Sequence, residues 1–341
     1  MTIPTRTTGP TGITVSELAL GSWNTWDRAA YDTVVQTLRA AMDAGVTTFD
    51  VGIYGPHLDD PDPDATEMVF ARAMAQLKPR REDIRLAVKA WLPQPGIDAP
   101  TFARQLDAML ERQHTDYADV LVLGDLMAPR DDYSAFLVQL APLLLSGRTR
   151  AWAVNNWSAA EVAEITGQAG AAGIAGPDYA QLKYGLTRRS IAEGAPYREL
   201  HEAIGVRVQA SDVFEGGLIF GPRTDGTARM IGGDIGGTQA RITAGVAQIR
   251  EAAASLHTTV AALAVAVPLL NPITANVLVG ARTPAQLRDA LAAFTLLQEH
   301  AAEEIRAVAD AFWFDRDTVA ADASWGTRPD DDPATYVVQE R

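Results

Sequence analysis

The sequence predicts an α/β chain closed into a (β/α)8 TIM barrel, with an N-terminal β-hairpin and long loops over its C-terminal mouth. Two patterns predict it. Short apolar runs alternate about eight times with amphipathic segments of helical period, as expected for a parallel sheet covered by helices. The residues of chemical interest also fall where the apolar runs end, which is where barrel active sites are built. The hairpin is expected around "PTGITVSEL". Strands follow near Leu18 to Ser22, Thr47 to Val51, Ile84 to Lys89 and Ala118 to Gly124. Four more are expected near Arg150 to Asn155, Tyr179 to Leu182, Val206 to Ser211 and Asn276 to Gly280. Each precedes a segment such as "YDTVVQTLRAAMDAG", whose Gly45 is a natural helix stop. All 341 residues form one domain in this reading, with 315–341 as an irregular tail in which Trp325 and Tyr336 are able to dock. The segments "YGPHLDDPDPDAT" and "FEGGLIFGPRTDGTARMIGGDIGGTQ" are expected to be mobile loops over the mouth.

Composition narrows the function classes. A net charge of −14 argues against nucleic-acid and anionic-membrane partners, which require a positive field near phosphates. The chain has no cysteine, so disulfides, thiolate nucleophiles and cysteine-held metals are excluded. The opening "MTIPTRTTGPTG" lacks the apolar core of a signal peptide, and the apolar run "VAALAVAVPLL" is too short to span a bilayer. A cytoplasmic protein with a small-molecule substrate is expected, and its oligomeric state stays open. The aspartates of the second loop have no spacing that would hold a metal.

Three residues carry the chemistry. Asp50 ends the second strand in "TTFDVGIYG", Tyr54 follows it, and Lys89 ends the third strand in "RLAVKAW". A buried ammonium is costly without an anion, and Asp50 is placed to supply one. The cation is expected to lower the pKa of Tyr54 and make it an effective general acid and base. The bland alternative is a purely structural ion pair.

With these residues the chain resembles the aldo-keto reductase family, from "TGITVSELALGSW" to "VLVGARTPAQLRDALAAF". "FDVGIYG" is similar to the family's FD-x-A-x-x-YG motif. The resemblance implies a barrel that binds NADPH or NADH and transfers hydride to or from a carbonyl or alcohol, with a tetrad of Asp, Tyr, Lys and His. NADPH is the first choice, although the two cofactors are not distinguished. The catalytic set is Tyr54, Lys89 and Asp50, with Tyr54 as proton donor.

The histidine is missing. A motif like "DYxDLxLxH" is expected on the fourth strand, and the chain has "DYADVLVLGD", which puts Gly124 on the histidine. Asp125 is no simple replacement, because neighbouring strand residues face opposite ways unless the strand has ended or bulged. Losing one such donor costs about 100- to 1000-fold in turnover. Gly124 leaves three readings open. It makes room for a bulkier substrate, with His57 or Asn155 as replacement donor; it marks different chemistry; or it marks loss of hydride transfer.

The resemblance also implies a cofactor pocket. Asn155 and Asn156 in "AVNNWS" fall on the contacts to the nicotinamide carboxamide, and Gln181 on the next one. Ser211 stands where many relatives stack a tyrosine on nicotinamide, and Asp212 where they place a serine near the pyrophosphate. "VNNWS" and "DVFEGGLI" are closer to the aldose dehydrogenase branch, whose members also lack that tyrosine. Gly280, Arg282 and Gln286 in "GARTPAQLRDA" match the adenosine-phosphate motif, with Asp289 and Ala290 replacing its Glu-Asn pair. Trp23, Trp26, His57, Trp91 and Gly124 are the candidate substrate-pocket residues, with ordinary packing as the alternative for the tryptophans and solvent exposure for His57.

The function expected is an NAD(P)-dependent oxidoreductase of the aldo-keto reductase type, in sugar or secondary metabolism, with a non-standard site. The alternative is a cofactor-independent acid/base enzyme on the same scaffold, a dehydratase, isomerase or cyclase. A third reading is a non-catalytic member of the family.

Overall fold

The computed structural model describes residues 2–54, 58–93, 98–127, 130–221 and 234–325. Two short strands, β1 (Thr5–Thr7) and β2 (Thr14–Ser16), pair antiparallel as the expected hairpin. Eight parallel strands follow: β3 (Leu18–Gly21), β4 (Thr48–Val51), β5 (Arg85–Ala90), β6 (Ala118–Leu123), β7 (Thr149–Asn155), β8 (Tyr179–Lys183), β9 (Arg207–Ser211) and β10 (Thr274–Val279). They pair in sequence order, and β10 returns to β3 to close the barrel.

The helical ring is α1 (Tyr31–Asp43), α2 (Thr66–Leu77), α3 (Phe102–Arg112), α4 (Ser134–Leu145), α5 (Ala159–Ala171), α6 (Ala195–Ile204), α7 (Gln239–Ser255), α8 (Val260–Leu269) and α9 (Pro284–Glu299), with α10 (Ala302–Ala309) after it. Local sequence sets the helix ends. A reciprocal capping box between Ser158 and Glu161 starts α5. Thr283, with Pro284 behind it, starts α9. After α1, Gly45 takes a φ of 91°, the left-handed conformation that glycine adopts without a Cβ penalty. Among the described residues no single helix is long and apolar enough to cross a membrane, and α8 is buried from Ala261 to Leu269.

Period-2 alternation divides each strand between two cores. Leu121, Leu123, Trp152 and Val154 face the helices, whereas Ala87, Val120, Val122, Ala151 and Ala153 fill the barrel interior around the Tyr179 ring. That inward register leads at the mouth to Asp50, Lys89, Gln181 and Gln209.

The hairpin closes the opposite end through Asp178, which is fully buried. Its carboxylate accepts from the hydroxyls of Thr8 and Thr11 and from the Thr11 N–H at 3.1 Å. Gly9 donates its N–H to the Asp178 carbonyl, and a Cβ there would lie 2.4 Å from that oxygen, so no larger residue fits. Removing the carboxylate takes away the acceptor that ties Thr8, Thr11 and the Thr11 N–H to the barrel. Asp178→Ala is therefore expected to lower the unfolding free energy by roughly 1–3 kcal/mol in a urea titration, without altering the mouth.

Candidate active site

Lys89 and Asp50 project inward from adjacent strands, with only 6% and 3% of their side-chain surfaces exposed. Lys89 Nζ lies 2.9 Å from Asp50 Oδ2 and donates to Gln181 Oε1 at 2.5 Å. Gln181 Nε2 donates to Asp50 Oδ2 at 2.9 Å, so the amide bridges both ends of the ion pair. The chain of bonds continues from Gln181 to Gln209 and from Gln209 Nε2 to Asn276 Oδ1 at 2.8 Å. Gln181 therefore belongs to the ion-pair network, with both ends of its amide engaged. Gln209 and Asn276 were not singled out from sequence; their signal was polar side chains at inward positions of otherwise apolar strands.

Tyr54 is brought beside this network by a short loop. From Asp50 to Tyr54 the chain advances four positions, where the family pattern advances five. Gly52 accommodates the difference: a Cβ there would lie 2.8 Å from Tyr54 Cζ, 2.9 Å from its hydroxyl and 3.2 Å from Lys89 Cγ. The tyrosine and the lysine stem both pack against that bare glycine.

The expectation that Lys89 lowers the Tyr54 pKa is corrected. Burial pushes the Tyr54 hydroxyl well above its usual value, the Asp50 charge pushes the same way, and the Ser22 hydroxyl only partly opposes them. The ammonium is already neutralised by Asp50 and turned toward Gln181, while the phenolate would be poorly solvated. At neutral pH the group is a phenol, the proton-donating form.

Gly124 follows β6 in its inward register, and its N–H bonds the Ala90 carbonyl at 2.8 Å. Its missing side chain is matched by an indole. A Cβ at 124 would lie 3.1 Å from Trp91 Cε3. Trp91 is held firmly: its Nε1 donates to the Ile53 carbonyl at 2.8 Å, and its backbone N–H and carbonyl both bond the Gln105 amide. The ring also packs 5.7 Å from Tyr54, centroid to centroid. The position read as room for a bulkier substrate is thus bordered closely by Trp91.

The remaining candidates divide. Asn155 and Asn156 each donate a side-chain N–H to Asp125 Oδ1, which turns both amide nitrogens toward that carboxylate. The Ser211 hydroxyl donates to the Leu182 carbonyl at 2.9 Å. Asp212 is neutralised by Lys183, 3.1 Å away, and Lys183 also lies 3.5 Å from Glu215. Arg188 pairs with Glu215 and Asp234. Lys183, Arg188 and Glu215 were missed in the sequence because no motif marks them.

Arg282 donates from its guanidinium to the Asn24 carbonyl and from its N–H to Gln286 Oε1, which ties both residues to the start of α9. Gly280 adjoins Thr25, whose hydroxyl would lie 2.9 Å from a Cβ. Asp289 is exposed and Ala290 is in the core. Trp23 is 46% exposed at the rim. Trp26 is 1% exposed and stacks on Phe70 at 4.8 Å, so it is a core residue and does not line the mouth. His57 lies outside the described residues.

The tail is irregular from Asp315 to Trp325, and 326–341, with Tyr336, lie outside the described residues. Trp325 is 2% exposed; its N–H bonds the Asn156 carbonyl at 3.1 Å and its ring lies 5.4 Å from the Arg188 guanidinium. Asn156, Asp212 and Glu215 all hold left-handed backbone, at φ 63°, 51° and 53°.

The description "Aldo/keto reductase family" matches residues 17–310. The chain belongs to the aldo/keto reductase family. It is also similar to a putative voltage-gated potassium channel subunit beta of Schizosaccharomyces pombe. The two are 25% identical over 309 residues, which cover 84% of this chain and 86% of that protein. Membership in the family supports an oxidoreductase type of chemistry, with the residues above at the mouth of its barrel.

Burial also raises the hydroxyls of Tyr133, Tyr179, Tyr184 and Tyr197. The unfolded chain therefore releases these protons, and that of Tyr54, first. The stability they contribute is complete below the unfolded value near 10 and is lost as pH rises above it. In an alkaline absorbance titration, these five of the eight tyrosines are expected to ionise only together with unfolding. Tyr54→Phe should remove no ionisation that precedes it.

Proposed function

We propose that the protein is an NAD(P)H-dependent carbonyl reductase in which Tyr54 delivers the proton. The observation that carries this reading is that Tyr54 packs around the same bare glycine as Lys89, whose side chain forms a buried ion pair with Asp50 bridged by Gln181. Reduction of a carbonyl needs a proton at the oxygen as negative charge develops there, and a buried neutral phenol supplies one. Asp50 and Gln181 hold the Lys89 ammonium at the floor of the mouth, and the lysine stem and the Tyr54 ring both pack around Gly52.

The polar groups at the mouth are compatible with a dinucleotide. Asn155, at the end of β7, keeps its side-chain carbonyl open, while Asn156 and Gln181 brace the wall around it. Asp212, the residue that would repel a pyrophosphate, has its charge balanced by Lys183. Arg282 stands before the N-terminus of α9, where cation and helix dipole both favour an anion. When bound, the dinucleotide supplies the hydride. Trp23 and Trp91 offer apolar surface for the substrate body, and Trp91 stands in contact with Tyr54. With no imidazole at position 124, Tyr54 acts without that second donor, and turnover slower than in a complete tetrad follows.

The test is fluorescence titration with NADPH and NADH, combined with turnover of an aldehyde panel. The expected result is micromolar binding by the wild-type protein. Tyr54→Phe should bind equally well and lose roughly 100-fold or more in turnover. Absence of binding at millimolar dinucleotide would remove this reading and favour cofactor-independent proton chemistry.

A further inference from the structure

β6 ends at Leu123, one residue before the glycine that stands in the histidine position, and the chain then turns. Asp125 is thereby released from strand alternation, and its half-buried carboxylate reaches across to β7. Oδ1 of Asp125 accepts from Asn155 Nδ2 and, at 3.2 Å, from Asn156 Nδ2. An ionised carboxylate only accepts, so each asparagine must turn its NH2 toward Asp125 and its carbonyl away. The accepting Oδ1 thus decides which end of each amide faces a ligand.

The two outward carbonyls then differ. Asn156 Oδ1 accepts from the Lys183 N–H at 3.2 Å. Its backbone is fixed on both sides, with its N–H on the Gln181 carbonyl at 2.7 Å and its own carbonyl accepting from Trp325 and Ser324. Asn155 Oδ1 has no partner among the described residues, and Asn155 is partly open to solvent. In register beside it, Gln181 has both ends of its amide engaged with Lys89, Asp50 and Gln209. Of Asn155, Asn156 and Gln181, only Asn155 leaves its side-chain carbonyl without a partner among the described residues, and that acceptor calls for a ligand group that donates an N–H.

We propose that Asp125 is a positioning residue that orients Asn155 so that its Oδ1 accepts a hydrogen bond from the carboxamide NH2 of the dinucleotide. The proposal rests on the dinucleotide-dependent reading above and adds to it the group that sets the amide and the atom that receives the bond. Asp125 itself touches neither the cofactor nor the reacting atoms.

The test compares the better-bound of NADPH and NADH with its 3-acetylpyridine analogue, in which a methyl ketone replaces the carboxamide and the N–H donors are gone. Both are titrated into wild-type protein, Asp125→Ala and Asp125→Asn, with circular dichroism to check folding. The wild type is expected to prefer the carboxamide form by about tenfold, the discrimination that one hydrogen bond supplies. Asp125→Ala should cut the preference to about twofold or less by weakening the natural cofactor and leaving the analogue unchanged. Asp125→Asn keeps an acceptor oxygen and should retain part of the preference. A wild type that binds both dinucleotides equally would overturn the proposal without any variant. So would an Asp125→Ala protein, or an Asp125→Asn protein if alanine prevents folding, that keeps the full wild-type preference for the carboxamide form. Absence of all dinucleotide binding would remove the functional reading, and this proposal with it.

Discussion

An ammonium group almost wholly removed from water cannot stay charged unless an anion and further acceptors replace its hydration. Lys89 has both, in the Asp50 carboxylate at 2.9 Å and the Gln181 carbonyl at 2.5 Å. The rest of the mouth is constrained by this pair. Asp50 must end β4 and Lys89 must sit one strand over in β5 with matching inward register, which the parallel pairing of the two strands secures. Gly52 must lack a side chain, because Tyr54 and the lysine stem share the space around it. Gln181 cannot rotate toward a ligand without releasing either the lysine or the aspartate.

A second set of charges stands on the β8 and β9 side. Lys183 faces Asp212 and Glu215, Arg188 faces Glu215 and Asp234, and the Trp325 ring covers both cations. Burial raises the Glu215 carboxyl even with two cations beside it, a sign of how dry this side is. Because each carboxylate there has a cation, the acidic residues of "DVFEGG" do not project a bare negative field into the mouth. The tail and the barrel meet at Asn156, which bonds Asp125, Lys183, Ser324 and Trp325 at once.

The barrel was legible in the sequence because strand and helix periodicity are local properties. The eight strands fall where the apolar runs predicted them, within a residue or two. Asp50 and Lys89 were legible for the same reason, since polar residues ending apolar strands have few structural explanations. Contacts between distant segments were not. Trp26 looked like a rim residue by its place after β3, yet Phe70 of α2 draws it into the core. Asp125 could be placed only once the end of β6 was known, because one residue of strand more would reverse its direction. The sign of the Tyr54 shift was missed because it depends on burial and on where the ammonium points, and neither is written in a motif. Gly124 signalled a missing histidine, but that Trp91 borders its place follows from Gln105, a helix residue with no signature.

The central claim is that Asp50 and Lys89 act as one buried unit. A double-mutant cycle measures it directly, with Asp50→Asn, Lys89→Met and the combined variant compared by urea unfolding. Each single substitution leaves a buried partner unsatisfied and should cost about 3–5 kcal/mol, whereas the double variant should cost less than the sum by on the order of 2 kcal/mol. Additive losses would contradict the account, because they would mean that the two side chains do not depend on each other.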